Sequence, residues 1–560
     1  MTERRSYLLP LLAGSFIALV ALWLIFRPEA PPASPTQASA VPRPAMPALP
    51  LPVPTARGMP VPRADGGLPP NLLSAELLLF LRQRLERSDA RPNEAVLTFK
   101  DADAYQKFLA RARQAGITVL GRMDGPLTAR VRYDSLDALQ NDILGNSADY
   151  ASIGANFILQ IPQVPPKQDR PAVNQVPFNN NVLPFLGVTG DRTDWGRGST
   201  IAVLDSGVAP DPTFAPGQVR YLDIGNGIAP GTGTDDGHGT AVASLAVGYA
   251  PDAPGVAPSA GILSIKVTAA DGTSDIFTVS QAIMAAVDSG AQIINISMGG
   301  YQTSNTLTKA IDYAVAHGSV IVAAAGNDQA AQLTWPAADP RVVSVGAVDA
   351  LEQQVLFSNS GPQLQITAPG YGVQAAWLGG QRVSLDGTSA SAPLVAGAIA
   401  AVMSQNPGLN ATQAWDVVQQ YASDGGAPGA DPNFGNGILN LGWAMNHSDP
   451  SRVDTAVSSH YYDPATGEME FVVQNRGGQT VTGLQLNVDA SGTTSTYAVG
   501  PLKAGATYVV KQAVDPAVLA AAGSLTFRSQ LVNPSGIVDQ VPGNNRKASV
   551  LTPPVPAAGN

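Results

Sequence analysis

The chain lacks cysteine entirely, which excludes thiol nucleophiles, disulfide bonds and thiolate metal sites among its 560 residues. It also has little charge and few histidines. Only 14% of residues are charged, the formal net charge is −10, and four histidines are present. A negative balance argues against nucleic acid or an anionic membrane surface as the main partner. We therefore expect no nucleic-acid partner and no thiol chemistry.

One long apolar run stands near the N-terminus, where residues 7–26 carry no charge and follow Arg4 and Arg5. A membrane-spanning helix needs about 20 apolar residues, whereas the core of a signal peptide has about 7–15. The length favours a signal anchor over residues 1–27, and the two arginines place its start in the cytoplasm. The rest would then lie outside, in the periplasm or at the cell surface. The alternative is a cleaved signal and a secreted product, although the A-x-A pattern at 38–40 lies well past the apolar run.

Composition divides the remaining chain into five segments. Residues 28–71 are rich in Pro and Ala and predict an extended linker. Residues 72–162 follow a β-α-β-β-α-β order, typical of a small α+β (ferredoxin-like) domain. Residues 163–184 predict a second linker. Residues 185–447 alternate apolar strands with helices, which predicts a three-layer α/β domain with a parallel sheet. Residues 452–555 contain short alternating strands, which predict an all-β, Ig-like sandwich.

Three side chains suited to nucleophilic catalysis stand at the ends of elements in the α/β segment. Asp205 follows the apolar strand STIAVL, where a carboxylate must be buried and partnered. His238 and Ser389 each stand at the start of a helix. A serine hydroxyl needs an adjacent base, imidazole is that base near neutral pH, and a carboxylate fixes its tautomer. Ligands bind beyond the carboxyl ends of parallel strands, so these groups form a candidate catalytic set.

The other histidines fit other roles. His317 ends a helix, where a cation suits the helix dipole, and His447 and His460 lie at or beyond the last helix of the α/β segment. A tetrahedral intermediate also needs preplaced hydrogen-bond donors. The amide of Asn327 and the backbone N–H of Ser389 are candidates, but Asn327 taken alone is equally well a turn former. Ser297 is equally well interpreted as an ordinary residue at the end of a strand.

Five stretches occur in the order AVLDSGV, DDGHGTAVAS, IINISMGG, VAAAGN and DGTSASAPLVAGA. Together they resemble the successive signatures of the subtilisin-like serine peptidases (subtilases) over about residues 185–445. The chain order Asp, His, Ser is that of subtilisin and differs from the orders of the chymotrypsin and α/β-hydrolase folds. Ser389 also lies outside a G-x-S-x-G motif, which argues against an α/β-hydrolase esterase.

The resemblance implies a serine endopeptidase that uses Asp205, His238 and Ser389 as its triad and Asn327 as the oxyanion donor. It also implies that an extended polypeptide substrate adds as a strand to the cleft, and that a primary specificity pocket lies beside it. The residues implied for substrate binding are Gly272, Thr273, Ser274, Ser297, Met298, Gly299, Ala325 and Gly326. Thr334 stands where many relatives have glycine, which argues against a deep pocket for large aromatic side chains.

The flanking segments carry weaker resemblances. Residues 72–162 resemble subtilase propeptides, which implies a zymogen whose own propeptide inhibits the cleft until cleavage within about 160–185. The C-terminal segment resembles CARDB-type adhesion modules, with VPGNNRKASVL as its cue. No cofactor is predicted, although calcium is possible by resemblance to the family. The alternative function is a catalytically retired peptidase domain in an extracytoplasmic binding or adhesion protein. Retired enzymes usually lose a triad residue, and none is lost here.

Overall fold

The computed structural model describes residues 74–164, 175–227 and 237–553. The predicted signal anchor (1–27) and first linker (28–71) lie outside these ranges, as do residues 165–174 of the second linker. In the described ranges, no helix combines the length and the apolar character needed to cross a membrane.

The N-terminal α+β unit folds around one antiparallel sheet. Asp101 and Ser135 cap two of its helices, each accepting a hydrogen bond from a backbone N–H three residues later. The β-α-β-β-α-β order is present, preceded by a helix that the sequence reading did not include. The elements are α1 (Ser74–Leu85), β1 (Ala90–Phe99), α2 (Ala102–Arg111), β2 (Ile117–Met123), β3 (Thr128–Tyr133), α3 (Leu136–Gly145) and β4 (Tyr150–Gln160).

The α/β unit follows the α+β unit in the chain. Its sheet has seven parallel strands in the order β12-β11-β10-β9-β5-β7-β6, with apolar clusters on both faces. The elements are α4 (Val182–Phe185), β5 (Thr200–Asp205), β6 (Val219–Tyr221), α5 (Gly237–Val247), β7 (Gly261–Lys266), β8 (Thr273–Asp275), α6 (Ile276–Asp288), β9 (Ile293–Ile296), α7 (Asn305–Ala316), β10 (Val320–Ala324), β11 (Val343–Val348), β12 (Ile366–Pro369), β13 (Val373–Ala376), β14 (Arg382–Leu385), α8 (Thr388–Gln405), α9 (Ala411–Gln420) and α10 (Leu441–Asn446).

The C-terminal unit is a two-layer sandwich, as the sequence predicts. One sheet has the order β15-β16-β19 and the other β18-β17-β20-β21, with an apolar core between them. Its elements are β15 (Thr455–Asp463), β16 (Glu468–Asn475), β17 (Gln485–Ala490), β18 (Thr493–Ala498), β19 (Thr507–Ala513), α11 (Pro516–Ala522), β20 (Leu525–Val532) and β21 (Arg546–Leu551). The α/β fold with its small α+β and all-β neighbours is therefore confirmed.

The α+β unit and the α/β unit share one sheet. The short strand β8 pairs antiparallel with the end of β4, with Leu159 opposite Ser274 and Gln160 opposite Thr273. The chain just after this pairing was predicted to be a linker over 163–184. Its described parts pack instead: Val164 lies against an apolar cluster, and Phe178 donates its N–H to the Tyr371 carbonyl. The end of β4 and the residues that follow it thus lie against the α/β unit.

Candidate active site

A carboxylate and an imidazole meet at the carboxyl end of the sheet. Asp205 is the last residue of β5 and is fully buried. Its Oδ1 accepts a hydrogen bond from the Ser206 N–H and lies 2.8 Å from Nδ1 of His238, the second residue of α5. A carboxylate at Nδ1 fixes the tautomer in which Nε2 is free to accept a proton. The pair therefore has the arrangement of an oriented general base.

The candidate nucleophile stands at the N-terminus of the buried helix α8. Gly387 precedes this helix with φ 131°, a conformation that favours glycine, and Ser389 is its second residue. The Ser389 hydroxyl donates a hydrogen bond to the Ser297 carbonyl, with 3.4 Å between the oxygens. Ser391 turns elsewhere and donates to the carbonyl oxygens of Ala368 and Pro369. Of the two serines at this helix start, only Ser389 lies against the Ser297 segment.

The amide of Asn327 is held so that its N–H group points into the cleft. Its Oδ1 accepts hydrogen bonds from both the backbone N–H and the hydroxyl of Thr388, each at 2.9 Å. Its Nδ2 donates to the carbonyl oxygen of Pro162 at 3.0 Å. A fixed amide donor beside a helix N-terminus can bind a carbonyl oxygen and the oxyanion derived from it.

The chain's own extended segment occupies the cleft. The N–H of Gln160 donates to the Gly299 carbonyl and the N–H of Gly299 donates back, at 3.0 and 2.9 Å. On its other side the same segment pairs with β8, through Thr273 and Ser274. The end of β4 therefore lies between two backbone edges, as an added strand would.

The other predicted substrate residues occupy three different positions around the cleft. Gly272 forms the turn before β8, with its N–H donating to the Ala269 carbonyl. Met298 and Ala325 are fully buried in apolar clusters, so their side chains support the cleft from behind. Ser297 accepts the Ser389 hydrogen bond described above and donates its own hydroxyl to the Ser389 carbonyl at 3.3 Å.

Thr334 fills the space between Gly299, which is predicted to pair with the substrate, and Gly326 of the predicted specificity pocket. A Cβ added at Gly299 would lie 2.4 Å from the Thr334 hydroxyl, and one added at Gly326 would lie 2.9 Å from its methyl group. The hydroxyl donates to the Ala325 carbonyl at 3.3 Å. The peptide bond that follows, Trp335–Pro336, is cis. Thr334 therefore restricts the volume of this pocket.

Sequence reasoning missed Asn359, which holds the loop around Asn327. This fully buried side chain accepts hydrogen bonds from the Asp328 and Ala330 N–H groups, at 2.9 and 3.0 Å. Its amide also donates to the Ala325 carbonyl at 3.2 Å, and its backbone N–H to the Gly326 carbonyl at 3.0 Å. The peptide groups on both sides of Asn327 are thus fixed by one residue.

The resemblance to the family leaves a calcium site possible. In the part of the chain that the structure describes, no cluster of three or more His, Cys, Asp or Glu residues is arranged to hold a metal ion.

Comparison with known proteins decides the family. A model of the subtilase family matches residues 196–437. Subtilisin BL from Lederbergia lenta is 34% identical over 253 residues, which cover 44% of this chain and 90% of that protein. The chain belongs to the subtilase family. A thermostable alkaline protease from Halalkalibacterium halodurans is 35% identical over 262 residues, covering 45% of this subtilase and 69% of the relative.

Two solved structures share the fold of this subtilase. Fervidolysin from Fervidobacterium pennivorans matches with a TM-score of 0.56 and 20% identity, over 84% of this chain and 77% of its own. The epidermin leader peptide processing serine protease of Staphylococcus aureus matches with a TM-score of 0.52 and 22% identity, over 64% and 99%. With its curated relatives named as subtilisins and alkaline proteases, this subtilase is a subtilisin-like serine endopeptidase.

Proposed function

We propose that Asp205, His238 and Ser389 form the catalytic triad of this subtilase and that Asn327 supplies an oxyanion donor. The single observation that carries the proposal is a peptide carbonyl, that of Pro162, bound to the Asn327 amide beside Ser389. The 2.8 Å contact between Asp205 and His238 supplies the base that the hydroxyl needs. The substrate is a polypeptide bound as an extended strand.

The reaction follows from these positions. The Ser389 hydroxyl attacks the substrate carbonyl carbon as its proton passes to His238, and Asp205 stabilises the imidazolium that forms. The Asn327 amide binds the oxygen that becomes negative, and it does so without reorganisation because Thr388 already holds it. His238 then protonates the leaving amine. Water hydrolyses the resulting acyl-enzyme by the same route in reverse.

The same chain is made as a zymogen. The α+β unit of residues 72–162 inhibits the peptidase unit of the same chain, because its last strand fills the groove in which an extended substrate would bind. Self-cleavage then separates this unit from the peptidase. The N-terminal run after Arg4 and Arg5 tethers the protein to a membrane with the peptidase outside the cytoplasm. Cleavage of that signal would release a secreted form.

A serine comparison tests the catalytic assignment. Purified wild-type protein should react with a fluorophosphonate probe and cleave casein, whereas Ser389→Ala should do neither and should stay unprocessed. Ser391→Ala is the matched control, because it alters the neighbouring serine of the same helix and should keep both activities. Processing of Ser389→Ala at the wild-type rate would contradict self-cleavage. A correctly processed wild type that neither reacts nor cleaves would favour the retired binding or adhesion protein.

A further inference from the structure

Two independent contacts set the register of the chain's own segment in the cleft. The paired hydrogen bonds between Gln160 and Gly299 make these two residues direct partners. In an antiparallel ladder, the residue two positions on from Gln160 faces the residue two positions before Gly299. Pro162 therefore faces Ser297, next to the nucleophile. The second contact agrees, since the Pro162 carbonyl oxygen lies 3.0 Å from the Asn327 amide nitrogen.

We infer that the Pro162–Gln163 peptide bond is the self-processing site of this protein, and that Pro162 makes its cleavage slow. The inference rests on the proposed catalytic role of Ser389. It goes beyond that role because it names one bond and a residue that sets the rate of its hydrolysis.

The chemistry at this bond is complete with the groups present and water. Ser389 Oγ adds to the Pro162 carbonyl carbon, and the hydroxyl proton passes to His238. The bond between that carbon and the Gln163 nitrogen breaks as His238 returns a proton to the nitrogen. Water then cleaves the Ser389–Pro162 ester, which leaves Pro162 as a new C-terminal carboxylate and Gln163 as a new N-terminus.

Proline changes the hydrogen bonding of the nucleophile. Any other residue at position 162 would carry an N–H on the edge that faces Ser297, where it could donate to the Ser297 carbonyl. Proline has no N–H. The Ser297 carbonyl instead accepts the hydroxyl of Ser389, at 3.4 Å. The hydroxyl that must give its proton to His238 is thereby committed to a different acceptor.

The chain beyond the bond is held as well. Val164 packs against the apolar cluster of Ala347, Val355 and Phe357, so the leaving amine of Gln163 stays near the acyl-enzyme after the bond breaks. An amine retained in this position can re-form the peptide bond. Because the chain is bound on both sides of the Pro162–Gln163 bond, we expect the two cleaved ends to separate slowly.

Cell-free synthesis of the full chain tests the site and the rate. We expect the larger product of the wild type to begin at Gln163 by intact mass, with or without cyclisation of the terminal glutamine. Pro162→Ala should be processed about tenfold faster, the effect of one added hydrogen bond. Pro171→Ala, a proline of the same linker outside the described residues, should match the wild type. A product that begins elsewhere, or equal rates for Pro162→Ala and wild type, would overturn the inference.

A peptide pair tests the same inference without altering the fold of the enzyme. Two peptides that copy residues 157–166, one with proline and one with alanine at position 162, are given to the mature enzyme. The alanine peptide should be cleaved about tenfold faster at saturation, while the proline peptide competes for the cleft with similar affinity. Equal turnover of both peptides by an enzyme that reacts with fluorophosphonate would refute the proline effect and leave the catalytic assignment intact.

Discussion

Asn359 fixes the peptide groups on both sides of Asn327, so we expect it to be a positioning residue for the proposed oxyanion donor. Replacing it by alanine would leave the Asp328 and Ala330 N–H groups without their acceptor. We expect Asn359→Ala to lower kcat by at least about tenfold and to change KM little, because a donor misplaced by a fraction of an ångström loses most of its effect in the transition state. Steady-state hydrolysis of a tetrapeptide nitroanilide measures both constants.

Tyr301→Phe is the control for this variant. It removes the hydrogen bonds of the Tyr301 hydroxyl to the Asn359 amide and to the Asp328 carboxylate, and it keeps the Asn359 side chain as acceptor of the Asp328 and Ala330 N–H groups. It should keep kcat within about twofold, the effect of a weak, partly exposed contact. If Asn359→Ala raised KM and left kcat unchanged, the loop would serve binding alone and the positioning role would be wrong.

Thr334 is expected to limit the proposed primary specificity pocket, because its side chain occupies space that a Cβ added at Gly299 or Gly326 would need. Thr334→Gly removes this filling and should shift the preference from small to large apolar residues before the cleaved bond. We expect kcat/KM for a phenylalanine substrate to rise about tenfold relative to alanine, in line with the effect of a few buried methylene groups. Thr334→Val, which keeps the volume and loses the hydroxyl, should preserve the wild-type preference. An unchanged ratio in the glycine variant would mean that another side chain closes the pocket.

Sequence reasoning reached the residues whose motifs are local. Asp205, His238 and Ser389 each stand at the end of an element, where a polar residue next to an apolar run is conspicuous. The contacts of Asn359 could not be predicted, because an asparagine in a loop is not distinguished by sequence from a turn former, and its partners lie far away in the chain. The occupation of the cleft by Pro162 was equally hidden, since it depends on register rather than on composition.

The sequence predicts helices and strands that are long enough to show a hydrophobic period. The sequence predicts the apolar strand β5 and the helix α8, whereas β6 and β12 span only three and four residues. So short a run cannot show a period. The helix α1 was missed because its leucine-rich sequence stood next to a proline-rich linker. Its burial against the α+β core is a tertiary effect, carried by side chains such as Leu81.

The start of α6 is capped by its own Asp275, which accepts a hydrogen bond from the Thr278 N–H, and it also bonds to a residue of the N-terminal unit. Asn156 of β4 is fully buried, accepts a hydrogen bond from the Phe277 N–H at 3.2 Å and donates to Glu94 at 3.0 Å. Burial opposes the charge of Glu94, but Arg130, with help from Asn156, holds the pKa of this carboxyl below its usual value. Asn156 therefore joins Glu94 of the N-terminal unit to the start of α6 in the peptidase.

Asn156→Ala should weaken the hold of the processed N-terminal unit by about tenfold, because a buried N–H and a buried carboxylate each lose a partner. After self-cleavage, casein activity should then appear with a shorter lag than in the wild type. Asn146→Ala is the control, because that amide bonds only within its own unit, to the Asp142 carbonyl. A lag shortened equally by both variants would point to general destabilisation of the unit rather than to the contact with α6.

At the scale of the whole molecule, the sandwich packs on the peptidase through polar groups rather than as a free module. Ser458 donates its hydroxyl to the Asp424 carbonyl at 2.7 Å, and Lys547 pairs with Glu352. The buried guanidinium of Arg476 lies over the Trp443 ring at 5.7 Å. Burial lowers the pKa of His460 and raises the pKa of Asp424, which both lie near this junction. We therefore expect the free energy of unfolding to depend on pH through both groups.

His460 in the sandwich lies 2.7 Å from the Ser529 hydroxyl and 2.8 Å from that of Ser549. Burial, with a smaller effect of the Lys547 ammonium, lowers its pKa to about 3. Burial, with the nearby Asp431 carboxylate, raises the pKa of Asp424 to about 6. Between pH 6.5 and 3 the unfolded histidine binds a proton that the folded one does not, so acid lowers the free energy of unfolding. Asp424 has the reverse sign between its usual value and about 6, because there the folded carboxyl holds the proton.

The two effects oppose each other near pH 5, and single variants should separate them. In a Ser389→Ala background, which prevents self-digestion, His460→Gln should remove the acid loss and gain about 2 kcal/mol relative to its parent between pH 7 and pH 5. Asp424→Asn should shift in the opposite direction, losing about 1 kcal/mol relative to its parent over the same range. Urea unfolding at both pH values measures each difference. Parallel changes in all three proteins would mean that neither group carries a proton linkage to folding, and the burial of His460 would then have no effect on acid stability.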